Sequence, residues 1–185
     1  MPCKKGKTRY SRNGKQEVPL TLNQFKEIMA SGKFCKQEHR AYAVGEYYFG
    51  LRREEMRNAK KEQFQIQGDY LIYDVGQRLK HSKETDPLKI RLDAPFLDDL
   101  IKQINQTEPD RTIFNFSTQT AYNIMVRCGL HYPHYMRLSR ITNLFASGMS
   151  IAEVKSFTGL SLKALDFYVG KVALLKIADS LGKSN

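Results

Sequence analysis

The chain has 185 residues, 41% of them hydrophobic, which is enough to bury the core of one compact domain and too few to demand a second. Thirty Lys and Arg against 19 Asp and Glu give a formal charge of +11; nucleic acid is the leading partner for such a balance, although anionic membrane surfaces and acidic proteins would feel the same attraction. There is no run of about 18 apolar residues, no apolar segment behind the basic N-terminus and no close pairing among Cys3, Cys35 and Cys128, so a membrane span, a secretory leader and a zinc site are not expected, and a reducing, cytoplasmic setting is.

Residues 1–20 carry six Lys or Arg by position 15 and few large apolar side chains, which predicts a flexible basic arm ahead of a folded unit over 21–185. Thr21 or Asn23 would cap a helix that buries Phe25, Ile28 and Met29 and stops at Gly32. From Gln37 to Phe49 the set Ala41, Val44, Tyr47 and Tyr48 repeats at helical spacing, ending at Gly50. The period then changes. Phe64 and Ile66 alternate with Gln, Tyr70 to Val75 is rich in β-formers, and Leu88, Ile90 and Leu92 alternate with Lys and Arg, predicting three short antiparallel strands. Helical periodicity returns over 94–105, 117–128, 133–146, 151–157 and from Ser161 towards Leu181. The expected class is α+β and mostly α, with a small three-stranded antiparallel sheet.

Four segments carry side chains suited to phosphate chemistry. In Tyr47-Tyr48-Phe49-Gly50-Leu51-Arg52-Arg53-Glu54-Glu55-Met56 an arginine follows a helix-ending glycine. A guanidinium offers two phosphate oxygens a rigid fork of donors and stays charged at any working pH; taken singly, the segment is equally well a solvated arginine after a cap. In Pro133-His134-Tyr135-Met136-Arg137 the spacing puts His134 and Arg137 on one face at the start of a helix, where the dipole favours an anion. Gly159-Leu160-Ser161-Leu162-Lys163-Ala164-Leu165-Asp166-Phe167-Tyr168 ends on a tyrosine, a residue type that on an apolar helical face is usually core. Between the second and third strands, Lys80-His81-Ser82-Lys83 and the residues up to Leu92 place two lysines on a hairpin.

In this order, with helix, sheet and helix between them, the segments resemble the boxes of the tyrosine recombinase (phage integrase) family across roughly residues 20–181. The matching boxes are a TGLRxxEL turn, a hairpin lysine before an RxVPL-like strand, an HxxR box, and GHxS followed by tyrosine. The helix and turn from Ser117 through Cys128-Gly129-Leu130 also look like the family's approach to HxxR. The resemblance implies a DNA strand-breaking and rejoining enzyme in which Tyr168 is the nucleophile and Arg52, Arg137 and His134 hold the phosphate. Lys83, or else Lys80, is the general acid, and Glu55 supports Arg52. Ionising an ordinary phenol at neutral pH costs about 4 kcal/mol, which clustered cations and an in-line phosphate would offset.

The chain departs from the family's pattern in two places. Leu138 follows Arg137 where histidine is frequent, and Leu160 stands where His or Trp usually donates to the phosphate, an office leucine cannot fill. Lys163, His131 and Arg140 are the candidate replacements; otherwise the chemistry is slow or lost. The run Arg140-Ile141-Thr142 and the GLSLKAL stretch lean towards archaeal or mobile-element members.

The resemblance further implies double-stranded DNA as partner, a homotetramer assembled on it from monomers, and neither metal nor cofactor. The family's N-terminal DNA-clamping domain is missing from these 185 residues, so the basic arm would share the grip on DNA. The apolar positions Val172, Leu175 and Ile177 suit packing on a neighbouring subunit or on the same domain. Two rival classes stay open: a DNA-binding relative without the chemistry, and a type IB topoisomerase-like relaxing activity.

Overall fold

Local chemistry starts and stops the helices where the sequence predicts. In the computed structural model, which describes residues 18–76, 86–130 and 134–172, α1 (Leu22–Ala30) opens on a capping box. The Thr21 side chain accepts from the Gln24 amide, and the Gln24 side chain accepts from the Thr21 amide. Helix α2 (Gln37–Phe49) ends on Gly50 at φ 56°, a left-handed cap. A short helix, α3 (Arg53–Arg57), follows the Gly50 turn. Then come β1 (Phe64–Gln67), β2 (Tyr70–Tyr73) and β3 (Leu88–Arg91), and after them α4 (Leu97–Gln106), α5 (Thr118–Arg127), α6 (Tyr135–Ala146), α7 (Ile151–Thr158) and α8 (Leu162–Val169). The expected class, mostly α with a small antiparallel sheet, is observed.

Helix α2 is the hub, buried continuously from Ala41 to Phe49 and packed against α3, α4 and α6. Its Tyr47 ring stacks on Phe25 of α1 with centroids 3.9 Å apart, while Tyr42 meets Phe114 and Phe116 edge-on. Each such fully buried large side chain contributes about 1.5–3 kcal/mol relative to exposure. Gly45 is required because a Cβ there would lie 2.8 Å from the sulfur of Met56, and that close approach seats α3 on α2. The strands run in the order β1-β2-β3, antiparallel throughout, with Phe64 opposite Tyr73 and their rings stacked at 4.2 Å. Leu71, Tyr73, Leu88 and Ile90 face the main core. A second, much smaller cluster of Ile141, Leu144, Val154 and Leu165 joins α6, α7 and α8.

Several boundaries differ from expectation. Helix α4 begins at Leu97 and not near residue 94, because Pro95 biases Ala94 away from helical backbone and Phe96 then turns at φ 63°. The alternation in β1 does not bury Ile66, which is 54% exposed on an edge strand near the hairpin end. At the other end of the chain, Val18 to Leu20 are docked. The Tyr135 hydroxyl donates to the Val18 carbonyl, the Leu20 amide donates to Ser139 Oγ at 2.8 Å, and Asn143 Nδ2 donates to the Leu20 carbonyl at 2.7 Å. The expected continuation of the last helix beyond Val172 lies outside the described residues. Among the described residues no helix is long and apolar enough to cross a membrane.

Candidate active site

The site is assembled on a turn. Gly50 ends α2, Leu51 is buried, and Arg52 follows as the cap residue of α3, so the turn aims Arg52 away from the hub helix. The Glu55 carboxylate, one turn into α3, takes the Arg52 amide at 2.7 Å with one oxygen and Arg52 Nη1 at 2.8 Å with the other. With its side chain only 3% exposed, Glu55 also lies 3.9 Å from Nη1 of Arg137. One buried carboxylate therefore stands between two guanidinium groups that are 85 residues apart in sequence.

Arg137 comes from the first turn of α6 and is buried. Its Nη1 donates to the Gly50 carbonyl at 2.8 Å, so the same turn that presents Arg52 is tied to α6. Burial pushes the Arg137 guanidinium down from its usual range. Tyr168 opposes that shift most strongly, through its charge and a side-chain hydrogen bond, followed by Glu55, while Arg52 adds to it. The Tyr168 side chain is thus the partner of Arg137. It sits half-buried on α8, packed on the Ile141–Leu165 cluster, with its ring edge-on to Phe167 at 5.4 Å. Arg52, Glu55, Arg137 and Tyr168 converge.

The other expected site residues fare differently. His134 occupies the exposed cap position of α6, three residues before Arg137 on the same helix end. Leu160 is apolar packing: it covers the smaller cluster, and its amide donates to Thr158 Oγ1 at 3.2 Å. Lys163 is exposed in the first turn of α8. Arg140 lies one turn beyond Arg137, with its guanidinium over the rings of Tyr48 at 5.7 Å and Phe157 at 5.5 Å. Lys80, Lys83 and His131 lie outside the described residues. Asp86, just after the segment that carries both lysines, accepts from Ser156 Oγ of α7 at 2.8 Å, so the end of that segment is tied to the helix before the Leu160 turn.

Two features escaped the sequence reading. Gly50 was legible as a cap, but nothing marked its carbonyl as the acceptor for Arg137, a contact spanning 87 residues. Glu46, fully inside α2, is held by the Tyr42 hydroxyl at 2.5 Å; the signal was available, an acid four residues after a tyrosine on a buried helical face.

This architecture is the fold of the tyrosine recombinase catalytic domain. Three solved structures carry the comparison. The site-specific recombinase XerH bound to its difH substrate superposes with a TM-score of 0.65 at 17% identity, over 86% of this chain and 56% of that one. The Tn1549 transposon integrase in complex with transposon right-end DNA gives 0.59 at 16% identity, over 91% and 67%. The catalytic domain of bacteriophage HP1 integrase gives 0.56 at 12% identity, over 91% and 95%. The chain therefore spans little more than half of the XerH recombinase and nearly all of the isolated HP1 domain. No family model and no curated protein matches it.

Proposed function

We propose that the chain is a tyrosine recombinase catalytic domain that cuts and rejoins duplex DNA through a 3′-phosphotyrosine. The observation that carries the reading is the Tyr168 side chain set against the buried Arg137 guanidinium, with Arg52 joined to the same centre through Glu55. In the proposed reaction Arg52 and Arg137, with His134 at the helix start, hold the non-bridging oxygens of a scissile phosphate. The Tyr168 oxygen loses its proton and forms a bond to phosphorus as the bond to the 5′ oxygen breaks. Lys83, or Lys80, supplies the proton to that leaving oxygen. The phosphodiester energy is kept in the protein–DNA bond, so attack by a 5′-hydroxyl reverses the step without ATP. In full recombination, four copies would act together on two duplexes, with this chain in a soluble, intracellular setting and the segment over residues 1–20 adding to the grip on DNA.

The test needs no known target. A library of nicked duplexes with randomised sequence, whose cleaved strand loses a short 5′-hydroxyl fragment by diffusion, traps the covalent complex. The wild-type chain should yield adducts that survive denaturation, and Tyr168→Phe should yield none while still shifting DNA in a native gel. Arg137→Lys should reduce trapping by about 100-fold, because an ammonium cannot reproduce the two-pronged contact. EDTA should leave trapping unchanged. The packing of Leu160 into the apolar cluster favours a second reading, a DNA-binding relative with weakened chemistry; DNA shifts without any wild-type adduct would select it. Plasmid relaxation without exchange between sites would instead select a topoisomerase-like activity.

A further inference from the structure

Arg140 is a cation without an anion. It makes no hydrogen bond and no ion pair among the described residues, and its Nε is buried without a partner. The groups facing its guanidinium are aromatic: Tyr47 and Tyr48 of α2 on one side and Phe157 of α7 on the other. Burial pushes the guanidinium down from its usual range, with Tyr47 and Tyr48 opposing and no carboxylate contributing. Contacts with aromatic faces are worth roughly 0.5–2 kcal/mol each. Burying an unpaired ion costs several kcal/mol. The rings alone do not compensate the charge, so its retention calls for something that arrives from outside the chain.

The position of Arg140 says what that is. It lies one helical turn beyond Arg137, and the Gly50 turn is wedged between the two side chains. Arg137 Nη1 holds the Gly50 carbonyl at 2.8 Å, and a Cβ on Gly50 would lie 3.2 Å from Arg140 Cγ. The residue keeps partial exposure, so the pocket between α2, α6 and α7 is open to a ligand. We propose that Arg140 is a further DNA contact, taking the oxygens of a backbone phosphate beside the site built on Arg52 and Arg137. The inference rests on the DNA reading above and adds to it a third guanidinium, on the side of the Gly50 turn where Leu160 offers no donor.

The probe is a 40-base-pair duplex of random sequence, bound by the full chain and followed by fluorescence anisotropy from low to moderate salt. Each phosphate neutralised contributes about 0.9 to the slope of log affinity against log salt. Arg140→Met should lower that slope by about one phosphate's worth and weaken low-salt binding roughly tenfold. Arg140→Lys, which keeps the charge, should retain the wild-type slope. Because the methionine removes an uncompensated buried charge, the Arg140→Met protein should melt at or above the wild-type temperature. An unchanged slope for Arg140→Met overturns the inference, and so does an equal loss for Arg140→Lys, which would make the position structural. A wild-type chain that fails to bind the duplex at any salt removes the DNA reading itself, a result separable from either of these.

Discussion

At the scale of single residues, Glu55 sets the site's electrostatics. It is the one carboxylate among the described residues that meets both Arg52 and Arg137, and without it two neighbouring guanidinium groups would repel with little solvent between them. Glu55→Gln should therefore destabilise the fold by about 2–4 kcal/mol in urea unfolding; a loss below about 0.5 kcal/mol would mean that solvent already screens the pair. Glu46 makes a pH-dependent contribution. Burial pushes its carboxyl up to about 7, the Tyr42 hydrogen bond and Arg53 pull it partly back, and Glu54 adds to the rise. A carboxyl whose folded value is raised binds more protons folded than unfolded between its ordinary value near 4.5 and about 7. Its share of stability is complete below that window and is lost as pH rises through it. Glu46→Gln keeps an acceptor for the Tyr42 hydroxyl, so it should match the wild type near pH 4.5 and exceed it by about 3 kcal/mol at pH 8. A difference that stays flat over that range would contradict the assignment.

At the scale of elements, the Gly50 turn is the joint on which the site depends. Gly50→Ala forces a side chain into left-handed backbone at φ 56° and against Arg140 Cγ at 3.2 Å, at a combined cost of about 1–3 kcal/mol. Thermal unfolding measures that cost, and a neutral substitution would show that the turn relaxes freely. Much of this level was legible in the sequence. The bounds of α2 followed from spacing and one glycine, and the caps of α1, α5 and α7 from Thr21, Ser117 and Ser150, because capping is local chemistry. The docking of Val18 to Leu20 on α6 was not legible. It depends on hydrogen bonds across more than a hundred residues to backbone groups that every sequence possesses. Likewise Phe96 in left-handed backbone is set by its surroundings and not by its own preference.

At the scale of the whole molecule, the arginines and the tyrosine belong to different packing units. Arg52 and Arg137 are rooted in the large core around α2, whereas Tyr168 rides on α8, held by the small cluster of Ile141, Leu144, Val154 and Leu165. Fewer buried contacts mean a lower free energy of local opening, so amides of α8 should exchange with deuterium well before those of α2; equal protection would show one cooperative unit. The convergence of Arg52, Glu55, Arg137 and Tyr168 could be anticipated only because several weak motifs occur in one order. Spacing along the chain says which residues share a helix face and is silent on how α3, α6 and α8 meet. The role of Leu160 as packing, and the isolation of Arg140, needed the three-dimensional neighbours.

The most direct measurement is to digest the trapped protein–DNA complex with trypsin and sequence the nucleotide-bearing peptide by mass spectrometry. The account predicts a nucleotide on the peptide over residues 164–171, attached to Tyr168, the only tyrosine within it. A nucleotide carried by any other of the chain's ten tyrosines would contradict it.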